Sequence, residues 1–464
     1  MKAQRLSSKL ALYLVSLLLT FNFLFFAVYA ISNRFTGFGF NEAVIYHVFY
    51  GIEGFDVSLY LHQIIGFLIF TALFVFAAFK YPRKYLSGFR FNGPLAIALA
   101  TLLWFQPMTN NLATHFGLNL FKTDFFGDLD PVLLSDIEIN NKRNLVVIYA
   151  ESLESTFMHE TLFPGLTPGL NRLAKRGLSF TDIRQTYGAS STIAGMVASQ
   201  CAVPFDIHAL SAPDTPFLPS LYCLGDVLAE NGYTLSYIGG AFLDFAGKGN
   251  FYLSHGFDRV IGREILSARL PDPGYISEWG IYDDFLFEQA YRELITLAEK
   301  ESPFALFMLT LDTHSPDLFP SAICANYRYA EMDDEYLDAI HCADHLLTRF
   351  VEGVRNSAAG ENTNIVILSD HISANNKPFD NLKVERSQRS NLLLALGPDV
   401  APGVNNRTGS TLDVMPTLLQ LLGAATERVN LGVSLLADEP TLMETSPDID
   451  EQLRGWSYQL KKFN

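Results

Sequence analysis

The chain has 464 residues, 49 of them acidic and 33 basic, giving a net charge of −16 at pH 7. A surface of that sign repels polyanions, which excludes nucleic acid as a partner.

In chain order, residues 10–31 come first, twenty-two residues without a charge. At about 1.5 Å per residue, a helix of that length crosses a hydrocarbon core of about 30 Å. It is too long and too aromatic for a signal-peptide core and no small-x-small cleavage signal is evident, so a retained anchor is expected. A second apolar run, 57–79, is interrupted only by His62 and Gln63, and a third, 91–108, is shorter with an early Pro94. Lys2, Arg5 and Lys9 precede the first run, Lys80, Arg83, Lys84 and Arg90 separate the second from the third, and the intervening loop has only Arg34. By the positive-inside rule the amino terminus is inside, and three crossings put everything after about residue 110 outside. Helices of a soluble protein, the alternative, leave this charge asymmetry unexplained. Residues 1–108 are thus expected to be a transmembrane region of about three helices. Residues 109–142, with Asp124, Asp128 and Asp130 among aromatic residues, are expected to be a juxtamembrane linker.

Residues 143–440 alternate short apolar runs with helical segments, as in one large α/β domain. Strands are predicted at 145–149, 234–238, 304–311, 365–368 and 392–396, most of them apolar on both faces. Such runs suit a mostly parallel central sheet flanked by helices, whose ligands gather at the carboxyl ends of the strands. Glu151, His314, and Asp370 with His371 each follow one of these strands, so they are expected at one edge. No dinucleotide-binding glycine fingerprint or P-loop is present. The charged tail, 441–464, is expected to be peripheral.

Threonine is a poor nucleophile unless a metal, a base or a positive field activates it. Small residues Gly188 to Ser191 precede Thr192, and 193–199 can continue as a helix. That places Thr192 near a helix amino terminus, where the dipole and free N–H groups favour an alkoxide and a phosphate, although most threonines there are ordinary caps. Glu151, Asp370 and His371 can add a divalent cation, and oxygen-rich ligation with one imidazole suits manganese or magnesium. His314 can donate to a phosphoryl oxygen or a leaving group, or be structural. Lys248 sits among glycines that would let a phosphate approach the backbone, with solvated surface the alternative. Glu154 is a candidate for the surroundings of the metal ligands, and His255, His341 and His345 are expected to be structural.

Four cysteines, Cys201, Cys223, Cys324 and Cys342, all fall on the expected outer side. An even number in an oxidising space points to two disulfides, and of three connectivities Cys201–Cys223 with Cys324–Cys342 closes the short loops. Buried free thiols are the alternative, and no Cys/His spacing suggests zinc.

The block from Asn144 through Glu151 to Glu154, the run Thr192-Ile193-Ala194-Gly195-Met196, and Lys248-Gly249-Asn250 form a pattern with His255-Gly256-Phe257-Asp258, Trp279-Gly280-Ile281-Tyr282-Asp283-Asp284 and Ser369-Asp370-His371. Together these blocks resemble the membrane-bound phosphoglycerol transferases that modify periplasmic glucans. Those proteins are similar to lipoteichoic acid synthases, within the sulfatase and alkaline phosphatase superfamily. The resemblance covers residues 30–440 and implies that Thr192 attacks the phosphorus of phosphatidylglycerol, releasing diacylglycerol and leaving a phosphoglycerol-threonine intermediate that a glucan or other glycan hydroxyl resolves. It implies that Glu151, Thr192, Asp370 and His371 bind one metal, manganese first, and that His314 and Lys248 hold the head group. It also implies an inner-membrane, multi-pass protein with its catalytic domain in the periplasm. Cys201 is followed by Ala202, Val203 and Pro204, which departs from the signal that sulfatases need to make formylglycine and disfavours sulfatase activity. Phosphoethanolamine transfer to lipid A or another envelope acceptor keeps the same site with a different group. A catalytically silent anchored binding protein is the reading from another class.

Overall fold

The computed structural model describes residues 2–36, 44–45, 48, 61–85, 92–109, 112, 137–205, 215–314, 318–374, 376–446 and 448–463. They fall into two compact units, Met1–Val44 with Phe55–Phe121, and Ile45–Gly54 with Lys122–Asn464.

Among the described residues, the first unit includes the apolar helices Lys2–Thr36, Leu61–Tyr85 and Asn92–Trp104. Among the described residues, one stretch is long and apolar enough to cross a membrane, Leu12–Asn33; the other apolar stretches, Ile65–Lys80 and Pro94–Trp104, are shorter. Phe23 stacks on Phe74 with ring centroids 4.1 Å apart. Gln106 Nε2 donates to Asn22 Oδ1 at 2.6 Å, and Asn22 Nδ2 donates to the Leu99 carbonyl at 3.1 Å. Polar clasps of this kind join helices where burial of apolar surface offers little drive. The beginning of the expected second span, 57–60, and residues 110–111 and 113–136 of the expected linker lie outside the described residues.

The second unit is built on an eight-stranded sheet. In chain order its strands are β1 (Asn144–Ala150), β2 (Leu178–Arg184), β3 (Thr234–Gly239), β4 (Arg259–Ile261), β5 (Phe304–Leu309), β6 (Thr363–Ser369), β7 (Leu393–Leu396) and β8 (Gly403–Ser410). Their spatial order is β4-β3-β5-β1-β6-β7-β2-β8. Every pairing is parallel except those of β7 with β6 and with β2, so β7 alone runs against the rest. The fold is therefore α/β with a mostly parallel sheet. The strand predicted over 304–311 ends at Leu309, where the chain turns toward the site. Three strands escaped prediction: β2 and β8 are polar, and β4 has only three residues. Such segments carry no apolar run to read.

Alternation along the central strands divides the core in two. Leu145, Val147 and Tyr149 face a layer that includes the helix Thr192–Cys201, and Val146, Ile148 and Ala150 face a layer that includes the helices Asp283–Ala298 and Glu335–Asn356. The expectation of a peripheral tail is corrected. Ile449, Leu453, Trp456 and Leu460 are buried in the first layer, because the helix Ile449–Trp456 presents an apolar stripe beneath its charged residues.

Both expected disulfides are present, Cys201–Cys223 and Cys324–Cys342. The first closes a separation of 22 residues, so replacing both cysteines by alanine is expected to cost about 3 kcal/mol. A shift in the urea midpoint at unchanged slope would measure it.

Candidate active site

Glu151 follows β1 directly and is 1% exposed. Its N–H donates to Thr310 Oγ1 at 2.9 Å, and its Oε1 accepts from Ser152 Oγ at 2.9 Å. Ser152 takes φ 54°, the left-handed region that side chains disfavour, and this turn aims its N–H at Asp370 Oδ1, 3.0 Å away. Asp370 follows β6 and is fully buried, and its Oδ1 also accepts from the His371 N–H at 2.9 Å. β1 and β6 are neighbours in register, Ala150 opposite Ser369, which is why the residues after them meet.

His371 Nδ1 lies 2.9 Å from the Ile372 carbonyl oxygen. A carbonyl only accepts, so Nδ1 carries a proton, which leaves Nε2 as the ring nitrogen that can serve as a metal ligand. Nε2 stands 3.5 Å from Glu151 Oε1 and 3.3 Å from Asp370 Oδ2. One ligand atom from each of Glu151, Asp370 and His371 lies within 4.8 Å of the others. Asp370 Oδ2 is buried without a hydrogen-bond partner, a costly state for a carboxylate oxygen. Burial, with the Glu151 carboxylate adding to it, pushes Asp370 up to about 7. Two carboxylates and an imidazole form a donor set that can hold one divalent cation.

Thr192 is the first residue of the helix Thr192–Cys201, after Ser191 at the cap. Its hydroxyl donates to Glu151 Oε2 at 3.3 Å. The helix is fixed from behind: Ser199 Oγ lies 2.7 Å from the Tyr149 hydroxyl, and Gln200 Nε2 donates to the Tyr252 hydroxyl at 3.2 Å. Cys201 ends the same helix inside a disulfide, so its sulfur is not free to become a nucleophile.

A pocket opens beside Thr192 and Glu151, lined also by Phe242, Phe245, Lys248, Trp279 and His314. Lys248 is 3% exposed, so the solvated-surface alternative is corrected. Its Nζ donates to the Phe245 carbonyl at 3.0 Å and lies 4.6 Å over the Phe245 ring. Burial lowers the ammonium pKa to about 8, against the pull of the Glu151 and Asp370 carboxylates. His314 packs on Trp279 with ring centroids 4.0 Å apart. All six residues singled out from sequence thus converge on this carboxyl edge. The aromatic walls were not foreseen, although Trp279 stood in one of the recognised blocks.

Glu154 forms a buried ion pair with Arg389. His255 Nδ1 pairs with Asp226 Oδ2 at 2.8 Å, and its neighbour Cys223 is disulfide-bonded and offers no thiolate to a metal. His341 Nδ1 donates to the Leu166 carbonyl at 2.6 Å, and His345 stacks on Tyr327.

Behind His314, Asp283 and Asp312 each accept the other's backbone N–H. Burial holds both carboxyls well above the usual range, and pushes Asp344 and Asp413 up to about 6. Each folded value exceeds the unfolded one, so between about pH 4 and pH 7 the folded chain binds more protons than the unfolded chain. Their contribution is most favourable at the acid end and is lost as pH rises through the folded values. Asp399 and Glu444, shifted downward by Arg143 and Arg407, act oppositely only at lower pH. With chelator present, the thermal midpoint is expected to be higher at about pH 5.5 than at about pH 8, and a flat or inverted profile would contradict this.

The family model for sulfatases matches residues 143–424. The chain belongs to the sulfatase family. Residues 1–123 of this sulfatase-family chain match a second model, the N-terminal domain of phosphoglycerol transferase I. The chain is 36% identical over 441 residues to phosphoglycerol transferase I of Xanthomonas campestris, covering 92% of this chain and 61% of that protein. It is 34% identical over 439 residues to phosphoglycerol transferase I of Escherichia coli, covering 92% of this chain and 56% of that protein. It therefore spans somewhat over half the length of these relatives. Among solved structures, a protein in the alkaline phosphatase superfamily from Vibrio parahaemolyticus matches with TM-score 0.55 and 23% identity, over 72% of this chain and 80% of that one. A lipoteichoic acid synthase from Listeria monocytogenes matches with TM-score 0.53 and 17% identity, over 71% of this chain and 95% of that one. These two likenesses establish the sulfatase and alkaline phosphatase fold.

Proposed function

We propose that this chain transfers phosphoglycerol from phosphatidylglycerol to a hydroxyl of an envelope glucan or other glycan, releasing diacylglycerol. The observation that carries the reading is the hydrogen bond from Thr192 Oγ1 to Glu151 Oε2, beside a buried carboxylate oxygen of Asp370 that has no hydrogen-bond partner. The likeness to relatives named phosphoglycerol transferase I supports the choice of group.

Glu151, Asp370, His371 and the Thr192 hydroxyl would hold one divalent cation, manganese first and magnesium as the alternative. When bound, it lowers the hydroxyl pKa and neutralises charge on phosphoryl oxygens. Thr192 Oγ1 passes its proton to Glu151 Oε2, the acceptor of its hydrogen bond, and attacks phosphorus, and the bond from phosphorus to the diacylglycerol oxygen breaks. The amino terminus of the Thr192 helix and the Lys248 ammonium stabilise the phosphoryl oxygens. His314 supplies the proton that the diacylglycerol oxygen takes up. An acceptor hydroxyl then gives its proton to His314 and attacks the phosphorus of the threonine ester, and Thr192 recovers its proton from Glu151 as that bond breaks. The aromatic walls narrow the approach of water.

In this reading residues 1–108 form a multi-pass region of about three spans in the inner membrane, 109–142 a linker, and 143–440 a periplasmic catalytic domain. The stretch Leu12–Asn33 supports membrane attachment.

The test offers detergent-solubilised full-length chain, with manganese, phosphatidylglycerol or phosphatidylethanolamine labelled in the head group, and a soluble glucan. Diacylglycerol released from phosphatidylglycerol, with label on the glucan, is expected. Release from phosphatidylethanolamine alone would change the transferred group, and label appearing only as free glycerol phosphate would make the protein a phosphodiesterase.

A further inference from the structure

Three consecutive buried polar residues before β7 take no part in the pocket: Arg389, Ser390 and Asn391. Arg389 is 3% exposed, and its Nε donates to Glu154 Oε1 and Oε2 at 3.0 and 3.1 Å. Its Nη2 donates to the same carboxylate, to the Ser373 carbonyl and, at 2.9 Å, to Ser373 Oγ. The guanidinium also lies 4.4 Å over the Phe379 ring. Glu154 Oε2 accepts the Ser373 N–H at 2.9 Å, which closes the network. Ser390 extends it: its carbonyl accepts from Ser155 N–H and Oγ at 3.0 and 2.9 Å, and its Oγ bonds both backbone groups of Ile183. Asn391 Oδ1 accepts from Ser369 Oγ at 3.1 Å.

The placement of these bonds matters more than their number. Glu154 lies three residues after Glu151, Ser373 three after Asp370 and two after His371, and Ser369 immediately before Asp370. Arg389 therefore bridges the two turns that carry the candidate cation ligands, without touching the ligands themselves. A buried ion pair is seldom more stabilising than apolar residues of the same volume, so stability alone does not explain it. Groups behind metal ligands, by contrast, fix ligand orientation and so affinity.

We propose that Arg389, with Ser390 and Asn391, straps together the turn after β1 and the turn after β6, and that Arg389 is a positioning residue that sets the affinity for the divalent cation. This rests on the reading that Glu151, Asp370 and His371 hold that cation.

The experiment titrates manganese into chelator-stripped, detergent-solubilised full-length chain by calorimetry, alongside thermal melts. Arg389→Met is expected to weaken manganese binding roughly 10- to 100-fold. Arg389→Lys should recover part of the loss, since an ammonium keeps the charge but lacks the planar fork that reaches both Glu154 and Ser373. Asp344→Asn perturbs a different buried carboxylate, which accepts the Gly169 and Leu170 N–H groups, and should lower the melt while leaving manganese affinity unchanged. Wild-type affinity in Arg389→Met, with a lowered melt like that of Asp344→Asn, would make the strap merely structural and overturn the proposal. Should Arg389→Met fail to fold, Glu154→Gln, of equal size, reads the same quantity, and unchanged affinity there overturns it too. Absence of manganese binding by the wild-type chain would instead remove the cation reading, and the strap proposal with it.

Discussion

Thr192→Ala is expected to lower turnover of phosphatidylglycerol by on the order of 10⁴-fold or more, because it deletes the atom that attacks phosphorus in the proposed mechanism. The substitution is structurally mild. Alanine is a good helix former, and Thr192 heads a helix whose position is fixed elsewhere, by the Ser199–Tyr149 and Gln200–Tyr252 hydrogen bonds. The melt should therefore change little. Manganese affinity should fall only modestly, since Glu151, Asp370 and His371 remain. The decisive readout is label from the phosphatidylglycerol head group trapped on protein after an acid quench without acceptor: present on wild type, absent from Thr192→Ala. Thr192→Ser should retain trapped label, with turnover between the two, because the hydroxyl survives. Label trapped equally on Thr192→Ala would assign the nucleophile to another residue.

Gly195→Ala is also expected to be damaging, though less than Thr192→Ala, and for a purely steric reason. A β-carbon at Gly195 would stand 1.9 Å from the Asp370 carbonyl oxygen and 2.7 Å from its carbonyl carbon. Those are backbone atoms, so no side-chain rotation relieves the clash. Either the helix that presents Thr192 or the turn that presents Asp370 and His371 must move. Overpacking of this kind costs about 1–3 kcal/mol, and displacement of reacting groups by about 1 Å costs roughly 100-fold in rate. Weaker manganese binding, slower turnover and a lower melt should appear together. A Gly195→Ala chain with wild-type turnover would show that the helix and the turn are not rigidly registered.

Several elements of the fold were legible in local sequence. β1, β3, β5, β6 and β7 are short apolar runs, buried on both faces, and such runs are read residue by residue. β8 could not be found that way, since Gly403–Ser410 carries asparagine, arginine and glycine and becomes a strand only because β2 lies alongside it. The tail misled for a similar reason. Its charged residues dominate the composition, while Leu453 and Trp456 are buried one helical turn apart.

The sequence by itself determined which chemical groups stand after which strands: Glu151 after β1, His314 beyond β5, Asp370 and His371 after β6, and Thr192 at a helix start. It also favoured the disulfide pairing that the structure shows, since short loops close at least entropic cost. Only the tertiary structure decided how those groups face one another. The orientation of His371 depends on the Ile372 carbonyl, the burial of Lys248 on the aromatic walls, and the Glu154–Arg389 pair on residues 235 apart in the chain. Local sequence specifies residue type and element propensity, whereas hydrogen-bond direction and burial follow from strand order and from which distant segments the sheet brings together.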